Sequence, residues 1–238
     1  MKPRQQKIVI TTRLTWLVLL ACAGLPVLCF QAGCQLAGMA AVLGSPTDSE
    51  TKSIAEYNLA QHKGQKILVL VDQPAYLNAH PNLRYFATDT INKMLQKRDK
   101  IKPSLLIDYE KLAEYRSSTS DFSLLSPEQV GSALSADLVL LVIINDYQVR
   151  EVAGAGYYSG SLDAQAALFK VATGEKLWPT LEQVKIVQVG FEAERRGPDA
   201  AAVRLALAAG HCITRYLYDC PKNQFKISDE RTAIGWEK

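Results

Sequence analysis

The chain has 238 residues, with 27 Lys and Arg against 24 Asp and Glu, 48% hydrophobic residues and 8% aromatic ones. That apolar content excludes an intrinsically disordered chain, and the length allows one or two domains. Lys2, Arg4, Lys7 and Arg13 stand before residue 34 with no acid among them, leaving 23 basic against 24 acidic groups beyond it. Without a surplus of positive charge in the body of the chain, no nucleic-acid partner is expected.

Behind that basic cluster, residues 14–30 form an uncharged run, LTWLVLLACAGLPVLCF, in the order of a secretory signal. Its 17 residues fall short of the roughly 20 that span a bilayer, and Ala23, Gly24 and Pro26 weaken it as a helix. A removable signal over residues 1–33 is expected. The next residues, Gln31-Ala32-Gly33-Cys34, resemble the lipobox of bacterial lipoproteins, with Gln31 where an apolar residue is usual. The resemblance implies lipid attachment at Cys34, since acyl chains contribute about 0.8 kcal/mol per buried methylene to membrane binding. Leu19-Leu20-Ala21-Cys22 matches the same pattern, but cleavage there leaves the apolar residues 25–30 exposed. A retained signal-anchor and release as a soluble protein are the alternatives.

Cys22 and Cys29 lie within the leader, so Cys212 and Cys220 are the cysteines of the folded part. On one continuous helix their Cα atoms would stand about 12 Å apart, too far for a bridge. A disulfide therefore requires the helix to end before Cys220. No cysteine or histidine spacing suggests a metal site, and none is expected.

Residues 34–63 read as a lipidated N-terminus and linker, with turn-rich residues at 44–49. Residues 51–63 are either a helix or an extended arm. The run 66–72, KILVLVD, is a strand buried on both faces. Pro81 opens a helix whose apolar stripe includes Leu83, Phe86, Ile91 and Leu95, with Lys97, Arg98 and Lys100 at its end. SLLID at 104–108 reads as a second short strand, after which Asp108 caps a helix through Tyr115. Ser126-Pro127-Glu128-Gln129 is a capping box.

Residues 137–149, DLVLLVIINDYQV, are apolar enough to form the central strand. A second long strand follows at 160–171, with Leu162, Ala164, Ala166 and Leu168 alternating inward. Thr173-Gly174-Glu175 turns the chain into a return strand ending at Trp178, a core plug. Residues 183–191 alternate again. Pro198 opens a long helix to about Tyr218, with Val203, Ala206, Leu207, Gly210, Ile213 and Leu217 as its buried stripe. The tail at 221–238 is polar, although Phe225, Ile227 and Trp236 are candidates to pack back. The order predicts a single α/β domain over 64–220, in two or three layers. Its mixed sheet has about five to six strands, parallel at the N-terminal side and an antiparallel meander after it, with helices packed on the sheet.

Gly154-Ala155-Gly156-Tyr157-Tyr158-Ser159-Gly160 is no dinucleotide fingerprint, because the third glycine comes late and no helix follows. It reads as a hairpin loop in which Tyr157 and Tyr158 are candidate partner contacts. Asp72 stands after the first strand, where α/β sheets bind ligands, and Asn145 and Asp146 join that edge if the strands run parallel. His62, His80 and His211 lie in separate elements and read as solvated or packing residues. Glu192, Glu194, Arg195 and Arg196 read as a solvated strand exit. No catalytic residue, metal or cofactor is expected.

The segment Ser135-Ala136-Asp137-Leu138-Val139-Leu140, its long strand, and Phe169 to Trp178 with their Thr173-Gly174-Glu175 turn resemble a recurring pattern. It is the pattern of the curli-secretion lipoprotein, the penicillin-binding-protein activator lipoproteins and the N-terminal domain of the Tol-Pal translocation protein. Val142 and Lys170 replace the pattern's glycine and aspartate, and the extra hairpins of a pore-forming member are missing. The resemblance implies a non-enzymatic interaction module of the cell envelope, membrane-anchored, facing the periplasm, and accessory to envelope assembly or secretion. The alternative is a periplasmic module that binds a small ligand at the carboxyl edge of the sheet, beside Asp72.

Overall fold

In the computed structural model, residues 52–225 are described, apart from Lys63, Pro81, Ala153 and Ala155. The leader, Cys34, the linker at 44–49, Pro81, Ile227 and Trp236 lie outside the described residues. The chain enters as an extended arm, which settles the helix-or-arm alternative. Lys52–Ser53 (β1) pairs antiparallel with Cys220–Pro221, and Leu59, in a short 3-10 turn, is buried in the core.

Ile67–Asp72 (β2) is buried at every residue but the last. It pairs in parallel with Leu138–Val152 (β3), from Ile67↔Leu138 to Asp72↔Ile143. Tyr157–Lys170 (β4) runs antiparallel along the whole of β3, with Asn145 displaced from the ladder. Lys176–Trp178 (β5) and Lys185–Glu194 (β6) then share the far edge of β4. β5 pairs with Leu168 and Phe169, and β6 with the stretch from Tyr158 to Ala166. The C-terminal strands are antiparallel as expected: β3, β4 and β5 follow in order, and β6 lies beside β5 on the same edge of β4. The three-residue β5 leaves most backbone groups on that edge of β4 unsatisfied, and β6 supplies their partners.

Asn82–Arg98 (α1) and Pro198–Thr214 (α4) cover one face of this sheet, over Val69, Val71, Leu140, Ile144, Leu162 and Leu168. Trp178 is fully buried there, the core plug its position suggested. Tyr109–Ser118 (α2) and Pro127–Ala133 (α3) close the other face, where Leu68, Leu70, Leu112, Val130 and Val139 pack. The other face of β6 stays open, with Ile186 and Gln188 exposed. The capping box at the start of α3 is made in both directions: Gln129 N–H donates to Ser126 Oγ, and Ser126 N–H to Gln129 Oε1.

Two expectations need correction. Residues 104–108 are not a strand: Pro103–Leu105 is a 3-10 turn, followed by one parallel bridge from Leu106 to Ile67. Asp108 already starts α2, so no residues remain to extend a ladder; its side chain makes no capping bond. The last long helix stops at Thr214; of its expected stripe Ala206, Gly210, Ile213 and Leu217 are buried, with Ala201, Leu205, Ala208 and Cys212 beside them, while Val203 is 37% exposed. An alanine-rich helix has no steep polarity contrast to mark the limits of its inner face. Cys212 and Cys220, whose pairing the sequence left open, are both buried thiols with no disulfide between them. After Cys220–Pro221 (β7), the short helix Lys222–Phe225 (α5) sets Phe225 edge-on to Tyr216, so the tail does pack back at that residue.

Candidate functional site

Asp72 closes β2, and the parallel register sets it beside Ile143, two residues before Asn145. The backbone carbonyl of Asn145 accepts a hydrogen bond from the Tyr76 hydroxyl, so the loop after β2 continues along the edge of β3. Asp146 is engaged elsewhere. It stands across from Asp163 on β4 and accepts a bond of 3.0 Å from Gln148 Nε2. Of the expected edge group, the fold therefore gathers Asp72 and the Asn145 backbone, and turns Asp146 to other partners.

Two arginines that sequence reasoning missed join this edge. Arg84, from the first turn of α1, brings Nη2 to 3.7 Å from Asp72 Oδ1 and donates to the Gln73 carbonyl. Arg116, from the last turns of α2, donates to the Val71 carbonyl at 2.9 Å and lies over the Phe122 ring at 4.8 Å. Burial, then the like charge of Arg84, lowers the Arg116 guanidinium from its ordinary value, against opposing pulls from Asp72 and Tyr109. The two side chains border a cavity of about 540 Å³. Thr119, Ser120 and Ser123, from the loop between α2 and α3, add hydroxyls, and Leu70, Leu141 and Ile143 give it an apolar side. Neither arginine carried a local signal. Only the crossover from β2 to β3 brings α1 and α2 to one sheet end.

Tyr157 and Tyr158 are not at a loop tip. They begin β4, opposite Val152 and Glu151, and are half-buried. Arg195 stacks on the Tyr157 ring at 4.7 Å, while Tyr158 packs against the main core. Among the described residues, β3 beyond Asn145 has β4 as its strand neighbour on one side and no strand on the β2 side, so the backbone at 148–152 is an open edge among those residues. Val152 is exposed beside it.

The strand exit read as solvated is partly buried. Glu194, 7% exposed, receives the Arg196 guanidinium at 3.1 Å, the Arg204 Nη1 at 3.4 Å and the backbone N–H groups of Arg195 and Arg196. The Arg196 hydrogen bond, opposed by burial, heads the causes that hold its carboxyl down at about 2. The histidines differ in burial, with His80 exposed, His62 half-buried and His211 buried. His62 stacks on Tyr57 and bonds its hydroxyl, His80 meets the Tyr147 ring edge-on, and His211 is buried beside the Gln224 carbonyl. Burial lowers His211 to about 4.

At the opposite end of α1, a cavity of about 590 Å³ is bordered by Leu59, Gln65, Asp99 and Lys102. Both Asp99 carboxyl oxygens are shielded there without a hydrogen-bond partner, and burial raises the group to about 8. Among the described residues no group of three or more His, Cys, Asp and Glu could hold a metal ion. Among those residues, too, no helix is long and apolar enough to cross a membrane.

No protein-family model matches the chain, and no curated protein does. Among solved structures, lipoprotein GNA1162 from Neisseria meningitidis is similar at a TM-score of 0.39 and 15% identity, over 58% of this chain and 90% of that one. The LpoB C-terminal domain from Salmonella enterica gives 0.32 and 20%, over 53% and 83%. The PelC dodecamer from Paraburkholderia phytofirmans gives 0.35 and 10%, over 70% and 91%. All three TM-scores lie below 0.5, so the sites described above rest on this chain's own residues.

Proposed function

We propose that this chain is an exported, membrane-anchored, non-enzymatic contact protein of a bacterial cell envelope, facing the periplasm. The observation that carries this reading is the basic and apolar leader ending at Gln31-Ala32-Gly33-Cys34, ahead of a domain with near-balanced charge. Acylated Cys34 serves as the anchor, and residues 35–51 as the tether. The open edge at 148–152, with Val152, Tyr157 and Tyr158 beside it, is the contact surface. An open strand edge offers backbone donors and acceptors to a partner strand, and adjacent aromatic rings add specificity. The partner is another envelope protein, and the role is accessory to envelope assembly or secretion.

Two measurements test this. Metabolic labelling with an alkyne fatty acid, followed by mass analysis of the mature N-terminus, is expected to find Cys34 acylated and first in the chain, and Cys34→Ala is expected to abolish the label. A photo-crosslinker at Val152 is expected to capture the same envelope protein repeatedly, and one at exposed Ile186 is not. Full-length protein in the cytosol with its leader intact refutes the anchoring, and equal crosslinking from both positions refutes the contact surface.

A further inference from the structure

We infer that the cavity beside the open edge of β3 takes a lysine or arginine side chain from the strand that pairs there, among the rings of Tyr147 and Tyr158 and the Asp199 carboxylate. This rests on the reading of residues 148–152 as a contact surface, and it names the partner's chemistry: an extended segment with a cation at one position.

Position comes first. The cavity, of about 230 Å³, is bordered by Phe86 from α1, Tyr147 and Val149 from β3, Tyr158 from β4 and Asp199 from the first turn of α4. Tyr147 stands opposite Leu162 and packs in the main core, so its face of β3 is the one that α1 and α4 cover. Val149 and Glu151 follow on that face, because side chains alternate along a strand. A strand added to the edge would set the residue opposite Val149 on the same face, beside the cavity that Val149 borders. The residues before and after it would point to the far face. The site therefore receives one side chain of the partner.

Charge and size select that side chain. Asp199 brings a carboxylate to the cavity, and none of the described residues that border it is Lys or Arg. Glu151, exposed on the same face, accepts the Gly156 N–H at 3.1 Å. Burial, then the charge of Asp199, raises the Tyr147 hydroxyl to about 12, so that ring stays neutral. His80 meets Tyr147 edge-on at 4.9 Å and completes an aromatic wall with Phe86 and Tyr158. Such a wall suits a cation and the methylenes that carry it. The first turns of α1 and α4 border the cavity as well, and helix starts favour an anion. Asp199 already fills that role at α4, and a second carboxylate would meet it directly. The volume falls below the roughly 300–1,000 Å³ of small-molecule sites and suits one long side chain.

The test uses capped, threonine-rich strand-forming peptides of about seven residues that differ at the central position, which is arginine, norleucine or glutamate. Each is titrated into the isotope-labelled full-length chain in detergent at low ionic strength, and chemical shifts give the affinity. The arginine peptide is expected to bind about fivefold tighter than the norleucine one, and the glutamate peptide most weakly. Asp199→Asn is expected to lower the arginine preference about threefold while norleucine binding stays unchanged, which also shows the edge intact. Glu192→Gln, at an exposed carboxylate on β6, is expected to change neither. Equal binding of the arginine and norleucine peptides overturns the pocket but leaves the edge as a contact surface. An unchanged preference in Asp199→Asn, or an equal drop in Glu192→Gln, does the same. Tighter binding of the glutamate peptide also overturns it, in favour of an anion at the two helix starts. If no peptide binds up to roughly 5 mM the pocket assignment fails, and capture at Val152 alone then decides whether the edge is used.

Discussion

Asp99 and His211 contribute opposite slopes to the pH response of the fold. Asp99 follows α1, where the helix dipole disfavours a negative charge, and its oxygens have no hydrogen-bond donor. Its carboxyl is raised from 3.8 to about 8, so between those values the unfolded chain is ionised while the folded chain holds a proton, and stability falls as pH rises. His211 is lowered from 6.5 to about 4; between those values the unfolded chain holds the extra proton, and stability rises with pH. The two slopes oppose each other from about 4 to 6.5, and Asp99 acts alone from about 6.5 to 8. Thermal unfolding of the wild type is therefore expected to be nearly level over the first window. Over the second it declines, by at most about 1.4 kcal/mol per pH unit. Asp99→Asn should invert the picture, with stability climbing to pH 6.5 and level above; a variant that still declines above 6.5 rules out Asp99 as the cause. Glu194 behaves oppositely to Asp99. Its carboxyl is lowered from 4.5 to about 2, so its contribution is present above 4.5 and is lost as pH falls towards 2. Glu194→Ala leaves Arg204 half-buried without that carboxylate and should cost about 3 kcal/mol in urea unfolding at pH 7. A loss of under about 0.5 kcal/mol would mark the cluster as ordinary surface charge.

Close approach between elements depends on missing side chains. In α3, a Cβ on Gly131 would lie 2.6 Å from Cγ2 of both Val139 and Val171, so the glycine is what lets this helix sit down on the sheet. Alanine gains about 1 kcal/mol of helix propensity, but overpacking costs about 1–3 kcal/mol. Gly131→Ala is accordingly expected to lower the urea midpoint, and a midpoint at or above wild type means that the valines yield freely. The same device brings α4 against α1, where a Cβ on Gly210 would stand 2.8 Å from Thr90 Cγ2. These contacts explain what could be read in advance. β2 and β3 are plain in the sequence because both faces are buried, and α3 because its capping box is local. α4 exists where Pro198 announces it, and its inner face is legible in part: Ala206, Gly210 and Ile213 are buried as expected, but small residues pack on both the sheet and α1, so the buried face is wider than the stripe. The short segment at 104–108 is apolar enough for a strand but too short for one between a 3-10 turn and α2. Asp72 was legible as an edge residue. Arg84 and Arg116 were not, because their meeting depends on a long crossover rather than on spacing.

At the scale of the molecule, the arm at 52–62 decides where the folded unit begins. The sequence suggests a boundary near residue 64, but the chain is already committed to the domain before it. Ala55 N–H donates to Asp219 Oδ1, Tyr57 N–H to the Tyr216 carbonyl and Leu59 N–H to the Leu217 carbonyl, each at 3.1 Å. Glu56 adds a side-chain clasp. It accepts from Trp178 Nε1 at 2.9 Å and from Lys185 Nζ at 2.7 Å, which joins the exit of α4 to β5 and β6. Lys185 in turn lies over the Tyr216 ring at 4.2 Å. Leu59 is 2% exposed, a core residue contributed by a segment that looks like linker. Removing the arm strips the Trp178 indole of its acceptor, opens the core beside Leu217 and leaves β7 without its partner. Burial of Leu59 contributes about 2 kcal/mol and the indole bond to a carboxylate about 1.5 kcal/mol or more, so a chain starting at Gly64 should lose at least about 3 kcal/mol relative to one starting at Ser49. Glu56→Gln, which keeps the arm and an acceptor for the indole, should cost less than half of that. Urea unfolding of the two truncated chains and the substituted one, compared at equal slope, measures these differences. Equal midpoints for the two truncations would mean that the arm merely rests on a domain complete without it, whereas the expected gap makes the pairing of β1 with β7 and the Glu56 clasp part of the fold itself.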